Sequence, residues 1–162
     1  MSQVDYKMAK SRIDEISSML VRGNQRSKNV ARIISSLTYI MFNESPKKVQ
    51  EVSEKISPIY DELYRIHNRL YTKLGGVKGS GENVEAPVET AVDIMNLRGI
   101  DLEGYNTLQQ DAINIGNIAL RTQDPGIEIF NSFIWAGLVS VHNEELQNKL
   151  IKIILQFDTR LS

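Results

Sequence analysis

The chain has no cysteine. That excludes disulfides, thiolate metal ligands and a cysteine nucleophile together. Histidine is nearly as scarce. His67 and His142 are the only two, on different predicted helices with no cysteine or further histidine beside either, so the spacing expected of a metal site is missing. No metal or other cofactor is expected. Prolines number four, which leaves room for long helices. No apolar run approaches the ~18 residues that a membrane span needs, and no membrane partner is expected. Residues 1–20 read as an amphipathic helix charged along its length rather than as a signal peptide. The setting this predicts is the cytoplasm, or a virus or defence complex assembled inside a cell.

Basic residues are few in one half only. Residues 79–162 hold five Lys/Arg against twelve Asp/Glu, a net −7, while residues 1–78 hold fourteen against eight, a net +6. The overall charge of −1 conceals this split. It suggests a polyanion partner for the basic half, or copies stacked head to tail.

What is present is helical periodicity, nearly throughout. Ala9, Ile13, Ile16 and Leu20 mark a first helix, and Gly23-Asn24 stops it. A second runs to about Asn43 with Val30, Ile33, Ile34, Leu37, Ile40 and Met41 inward. Ser45-Pro46 pairs a cap residue with proline at the first helical position. From there Val49, Val52, Ile56, Ile59, Leu63, Ile66 and Leu70 step by alternating threes and fours, a heptad-like seam. Pro58 lies within it, and because the stripe keeps phase, one long helix kinked at Pro58 is predicted over 46–74.

Residues 75–87 form the one glycine-rich stretch and the expected boundary between a basic half, 1–74, and an acidic half, 88–162, around a shared core. In the second half Val88, Ala91, Val92 and Met95 predict a short helix. Tyr105, Leu108, Ala112, Ile115 and Ala119 predict a longer one. Asp124-Pro125 starts another, with Ile127, Phe130, Ile134, Leu138 and Val141 inward. Asn143 is set to cap the last, whose inward face is Leu146, Leu150, Ile153, Ile154, Phe157 and Leu161. The fold class is therefore all-α, a bundle of about seven helices.

Catalytic signatures are missing. Ser17-Ser18 and Ser35-Ser36 fall at helix positions without an elbow motif, and no enzyme is predicted. Glu51, Glu54, Asp93 and Asp111 read as solvated. Lys78-Gly79-Ser80 lies in the reverse order from a phosphate-binding loop and follows a helix, so it reads as a tether. The candidate nucleic-acid contacts are Arg22, Arg26, Lys28, Arg32, Arg65, Arg69 and Lys73. Lys28, Arg32 and Tyr39 lie opposite the buried stripe of the second helix. Arg65 has Asp61 and Glu62 within reach as helical ion-pair partners. The candidate protein interface is Tyr60, Tyr64 and Tyr71, a row that also includes His67 and suits a half-buried surface. The function these features predict is a non-enzymatic helical subunit of a larger assembly. It would hold a nucleic-acid backbone without reading sequence, as a nucleoprotein-complex small subunit or coat-like protein does. Its further partners would be copies of itself or other subunits. The alternative is a protein–protein adaptor or scaffold with no nucleic-acid role.

Overall fold

The computed structural model describes residues 5–75 and 87–161. Most of the glycine-rich boundary, with Lys78, lies outside them, as do Met1–Val4. Seven α-helices follow in order: α1 (Tyr6–Leu20), α2 (Gln25–Asn43), α3 (Pro46–Lys73), α4 (Val88–Ile94), α5 (Leu102–Thr122), α6 (Pro125–Val139) and α7 (Glu144–Leu155). A 3-10 turn, Ser140–His142, joins α6 to α7. No strand occurs among the described residues, so the chain is an all-α bundle.

The helices begin where side chains satisfy their first free N–H groups. Asp5, Asn24, Ser45, Asp101, Asp124 and Asn143 each accept a hydrogen bond from a backbone N–H two or three residues on. Each such cap stabilises its helix by roughly 1 kcal/mol. Among the seven, α4 alone lacks a side-chain cap, and none of its residues is buried.

α2 and α6 form the centre. One apolar cluster joins α1, α2, α5 and α6 through Ile13, Ile16, Leu20, Val30, Ile34, Leu108, Phe130 and Ile134. A second joins α2, α3, α6 and α7 through Ile33, Leu37, Val52, Ile56, Phe133 and Ile154. Full burial of each such side chain contributes about 1.5–3 kcal/mol. The central pair meets closely at Gly137, where an added Cβ would lie 2.4 Å from the Ile34 Cγ2. The two halves of the sequence thus interleave: α1 packs on α5, and α2 packs on α6 and α7.

As predicted, α3 is one long helix, Pro46–Lys73, with Pro58 inside it on its exposed side. Two inward faces differ from the sequence expectation. The buried stripe of α3 follows the predicted seam at Val49, Val52, Ile56 and Leu63 but then passes to His67, leaving Ile59, Ile66 and Leu70 only half-buried. The reason is geometric. A helix with 3.6 residues per turn drifts about 20° per heptad from a strict seven-residue repeat. The contact face therefore moves from Ile66 to His67 over α3's length. On α7, Gln147 and Ile151 are buried while the predicted Leu146 and Ile153 are half-buried.

Candidate functional site

The predicted basic residues separate into engaged and free sets. Arg22 lies in the turn after α1 and reaches Asp101 and Glu103 at the start of α5, both at 3.1 Å. These hydrogen bonds, the one to Asp101 first, raise its pKa. Arg26 donates to the Val141 carbonyl and to Asn96 Oδ1, each at 2.7 Å. The turn between α1 and α2 is tied to the segment before α5 by further bonds. The Asn24 N–H donates to the Gly99 carbonyl at 2.7 Å, and the Asp101 N–H donates to Ser27 Oγ at 3.2 Å. Arg65 pairs with Glu62 at 2.8 Å, the nearer of its two candidate partners.

Lys28, Arg32, Arg69 and Lys73 are exposed and make no ion pair among the described residues. Lys28, Arg32, Ser35 and Tyr39, spaced by four, three and four, form the outward ridge of α2, whose other residues from Ser27 to Ile40 are buried. That ridge is about 16 Å long at 1.5 Å per residue. At its far end Arg160 stacks 4.3 Å from the Tyr39 ring centroid and is held by Asp158 at 2.6 Å. Arg69 and Lys73 sit near the C-terminal end of α3.

Asp111 corrects a sequence expectation. It is not solvated: its side chain is 11% exposed and accepts from Arg12 at 2.6 and 3.2 Å. Arg12 carries no mark of this in the sequence, because its partner lies 99 residues away. The hydrogen bond to Asp111, with its charge, raises the Arg12 pKa. A carboxylate so little exposed is costly to bury without such a partner.

The tyrosine row does not stand free of the fold. Tyr60, Tyr64 and Tyr71 are half-buried. Tyr64 meets Tyr60 at 5.7 Å and Trp135 of α6 at 6.0 Å, both edge-on. His67 lies between Tyr71, stacked at 6.4 Å, and Trp135 at 6.1 Å. Burial holds the Tyr60 hydroxyl well above its ordinary pKa.

The two histidines, expected to lack any partner of their kind, are partners of each other. His67 Nδ1 lies 2.9 Å from His142 Nε2, and His142 Nδ1 lies 2.9 Å from the Met95 carbonyl oxygen. The carbonyl can only accept, so His142 carries its proton on Nδ1. Its Nε2 then accepts from the Nδ1–H of His67. These tautomers are assigned from the bonding pattern. Burial pushes both imidazoles down to about 4, and for His142 the neighbouring His67 and Arg26 add to the effect. Among the described residues no three His, Asp or Glu side chains gather as metal ligands do. No helix among them is long and apolar enough to cross a membrane.

No protein-family model, no curated protein and no solved structure matches this chain.

Proposed function

We propose that this protein is a non-enzymatic helical subunit that holds a nucleic-acid backbone without reading its sequence. The observation that carries this reading is the α2 ridge. Lys28 and Arg32 project from a helix buried on its other sides and have no ion-pair partner among the described residues. Long cationic side chains with no internal partner are available to phosphates, and such contacts position a strand without specifying bases. Arg69 and Lys73 add charge on α3, whereas Arg22, Arg26 and Arg65 are committed to partners within the fold. Anisotropy of labelled single-stranded RNA and double-stranded DNA, titrated at low and moderate salt, tests it. Binding is expected to weaken steeply with salt. Each neutralised phosphate contributes roughly 0.7–0.9 to the log–log salt slope, so the paired substitution Lys28→Ala/Arg32→Ala is expected to reduce that slope by about 1.4–1.8. Equal affinity for a neutral polymer, or an unchanged slope in the variant, would sink the proposal.

A second reading, an adaptor for another protein or a second copy, is favoured by a different surface. Leu120 is 79% exposed, and with Ile113, Gly116 and Trp135 it lines a groove of about 550 Å³ between α5 and α6. Trp135 joins that groove to Tyr64 and, through it, Tyr60. Self-association by light scattering that Leu120→Asp abolishes, without affinity for nucleic acid, would select this reading over the first.

A further inference from the structure

We propose that the His67–His142 pair is an acid-sensitive latch that ties the 3-10 turn, and through it the segment between α4 and α5, to α3 and that opens when the imidazoles take up protons. The geometry sets the argument. α4 buries no residue of its own. Beyond it, Met95, Leu97 and Ile100 reach the core; Asn24 and Ser27 hold the Arg98 carbonyl and the Asp101 N–H at the segment's far end, and two side-chain ties hold its first residues. One is the His142 bond to the Met95 carbonyl. The other is the Arg26 bond to Asn96. His142 is in turn fixed by His67 of α3. One chain of hydrogen bonds thus runs from α3 through the 3-10 turn to the backbone of this segment.

The groups around the pair make it hard to charge in place. From α3, Tyr64 and Tyr71 present rings. From α6, Trp135 does the same. From α2, Arg26 brings a positive charge to the Val141 carbonyl, one residue from His142. From α7, Gln147 is neutral and bonds the Arg26 carbonyl, while Glu144 and Glu145 are exposed. Among the described residues no carboxylate offsets a charge on either ring.

The first proton enters at His67 Nε2, because the other three ring nitrogens are occupied by the two hydrogen bonds. That leaves the bond to His142 intact but places an uncompensated charge among aromatic rings. The second must enter at His142 Nε2, which removes the acceptor and sets two N–H groups against each other, so the link to α3 is lost while the Nδ1–H bond to the Met95 carbonyl remains. The rings titrate as a coupled pair. The folded pair has pKa values near 4 against an ordinary 6.5. Opening is therefore disfavoured above 6.5 and grows easier as pH falls from 6.5 toward 4, where the gain levels off. If the open segment restores ordinary values, its opening constant rises about twentyfold per histidine between pH 7 and pH 5.

The test uses the intact chain. Histidine ring proton shifts followed by NMR from pH 7.5 to 3.5 report the titration, and amide hydrogen exchange, corrected for its intrinsic pH dependence, reports opening. Both rings are expected to stay neutral at pH 6. Exchange at Leu97 and its neighbours is expected to rise at least twentyfold by pH 5 while α2 and α6 stay protected. Trp135, the only tryptophan, gives a matching fluorescence change. In His67→Gln and His142→Gln, each read by the same exchange measurement, the pH dependence of opening is expected to shrink by at least fivefold. Titration of both rings near 6.5 in the wild type would overturn the latch. So would exchange of the segment that is flat with pH, that rises only together with α2, or that keeps its full pH dependence in both variants.

Discussion

Arg12, at the seam between α1 and α5, and Arg32, on the outer ridge of α2, are the same residue type twenty positions apart in the basic half. Their circumstances differ completely. Arg12 is held at 2.6 Å by a nearly buried carboxylate from the acidic half. Arg32 faces outward and makes no ion pair among the described residues. The contrast extends to their neighbours: Arg22 is drawn to the start of α5 and Arg26 to Asn96 and the Val141 carbonyl, whereas Lys28 makes no ion pair among the described residues. The opposed charges of the two halves are therefore partly an internal complementarity. Arginines of the first half meet carboxylates of the second where α1 lies along α5. A count of basic residues overstates the charge left for a partner, and the surplus is confined to particular faces.

The severest way to disturb this contrast is to separate the helices that create it. Gly137→Val would drive a branched side chain into the fully buried Ile34 where α2 crosses α6. Overpacking of this kind costs about 3 kcal/mol, and the midpoint of urea denaturation should fall accordingly. Next comes the seam itself. Arg12→Ala leaves Asp111 nearly buried without its cation. Because Arg12 is itself about half exposed, solvent moderates the loss, and about 1–2 kcal/mol is expected rather than the larger cost of a wholly buried pair. A double-mutant cycle with Asp111→Ala should recover a coupling of about 1 kcal/mol between the two. Smallest in stability is the ridge. Lys28→Ala and Arg32→Ala should each stay within about 0.5 kcal/mol of the parent, their effect appearing only in salt-dependent binding. An Arg32→Ala variant as destabilised as Arg12→Ala would erase the distinction between seam and ridge.

Much of the fold was legible because its signals are local. Ser45-Pro46, Asp124-Pro125 and Asn143 mark helix starts by satisfying N–H groups two or three residues on. The stripes Ala9–Ile13–Ile16–Leu20 and Ile127–Phe130–Ile134–Leu138 are buried as their spacing requires. The α3 seam was legible at Val49, Val52, Ile56 and Leu63 but not at its end, because a heptad count ignores the drift that brings His67 inward. Gln147 and Asn29, polar residues that spacing alone would not place inside, are buried because they bond each other at 3.0 Å.

The candidate site was less legible. Lys28 and Arg32 could be placed on an outer face from helical geometry, but Arg22 and Arg26, in the same stretch of chain, could not be told from them. Asp111 and the histidine pair carried no readable signal, since their partners lie 99 and 75 residues away.

The sequence by itself determined the helices, their caps and most inward faces, since these depend on groups within one turn of each other. Only the tertiary structure decided which charges are consumed and which remain, and that the two histidines meet. Those outcomes depend on how helices cross, and a crossing is set by the packing of whole faces such as Gly137 against Ile34, not by any one residue's neighbours in the chain.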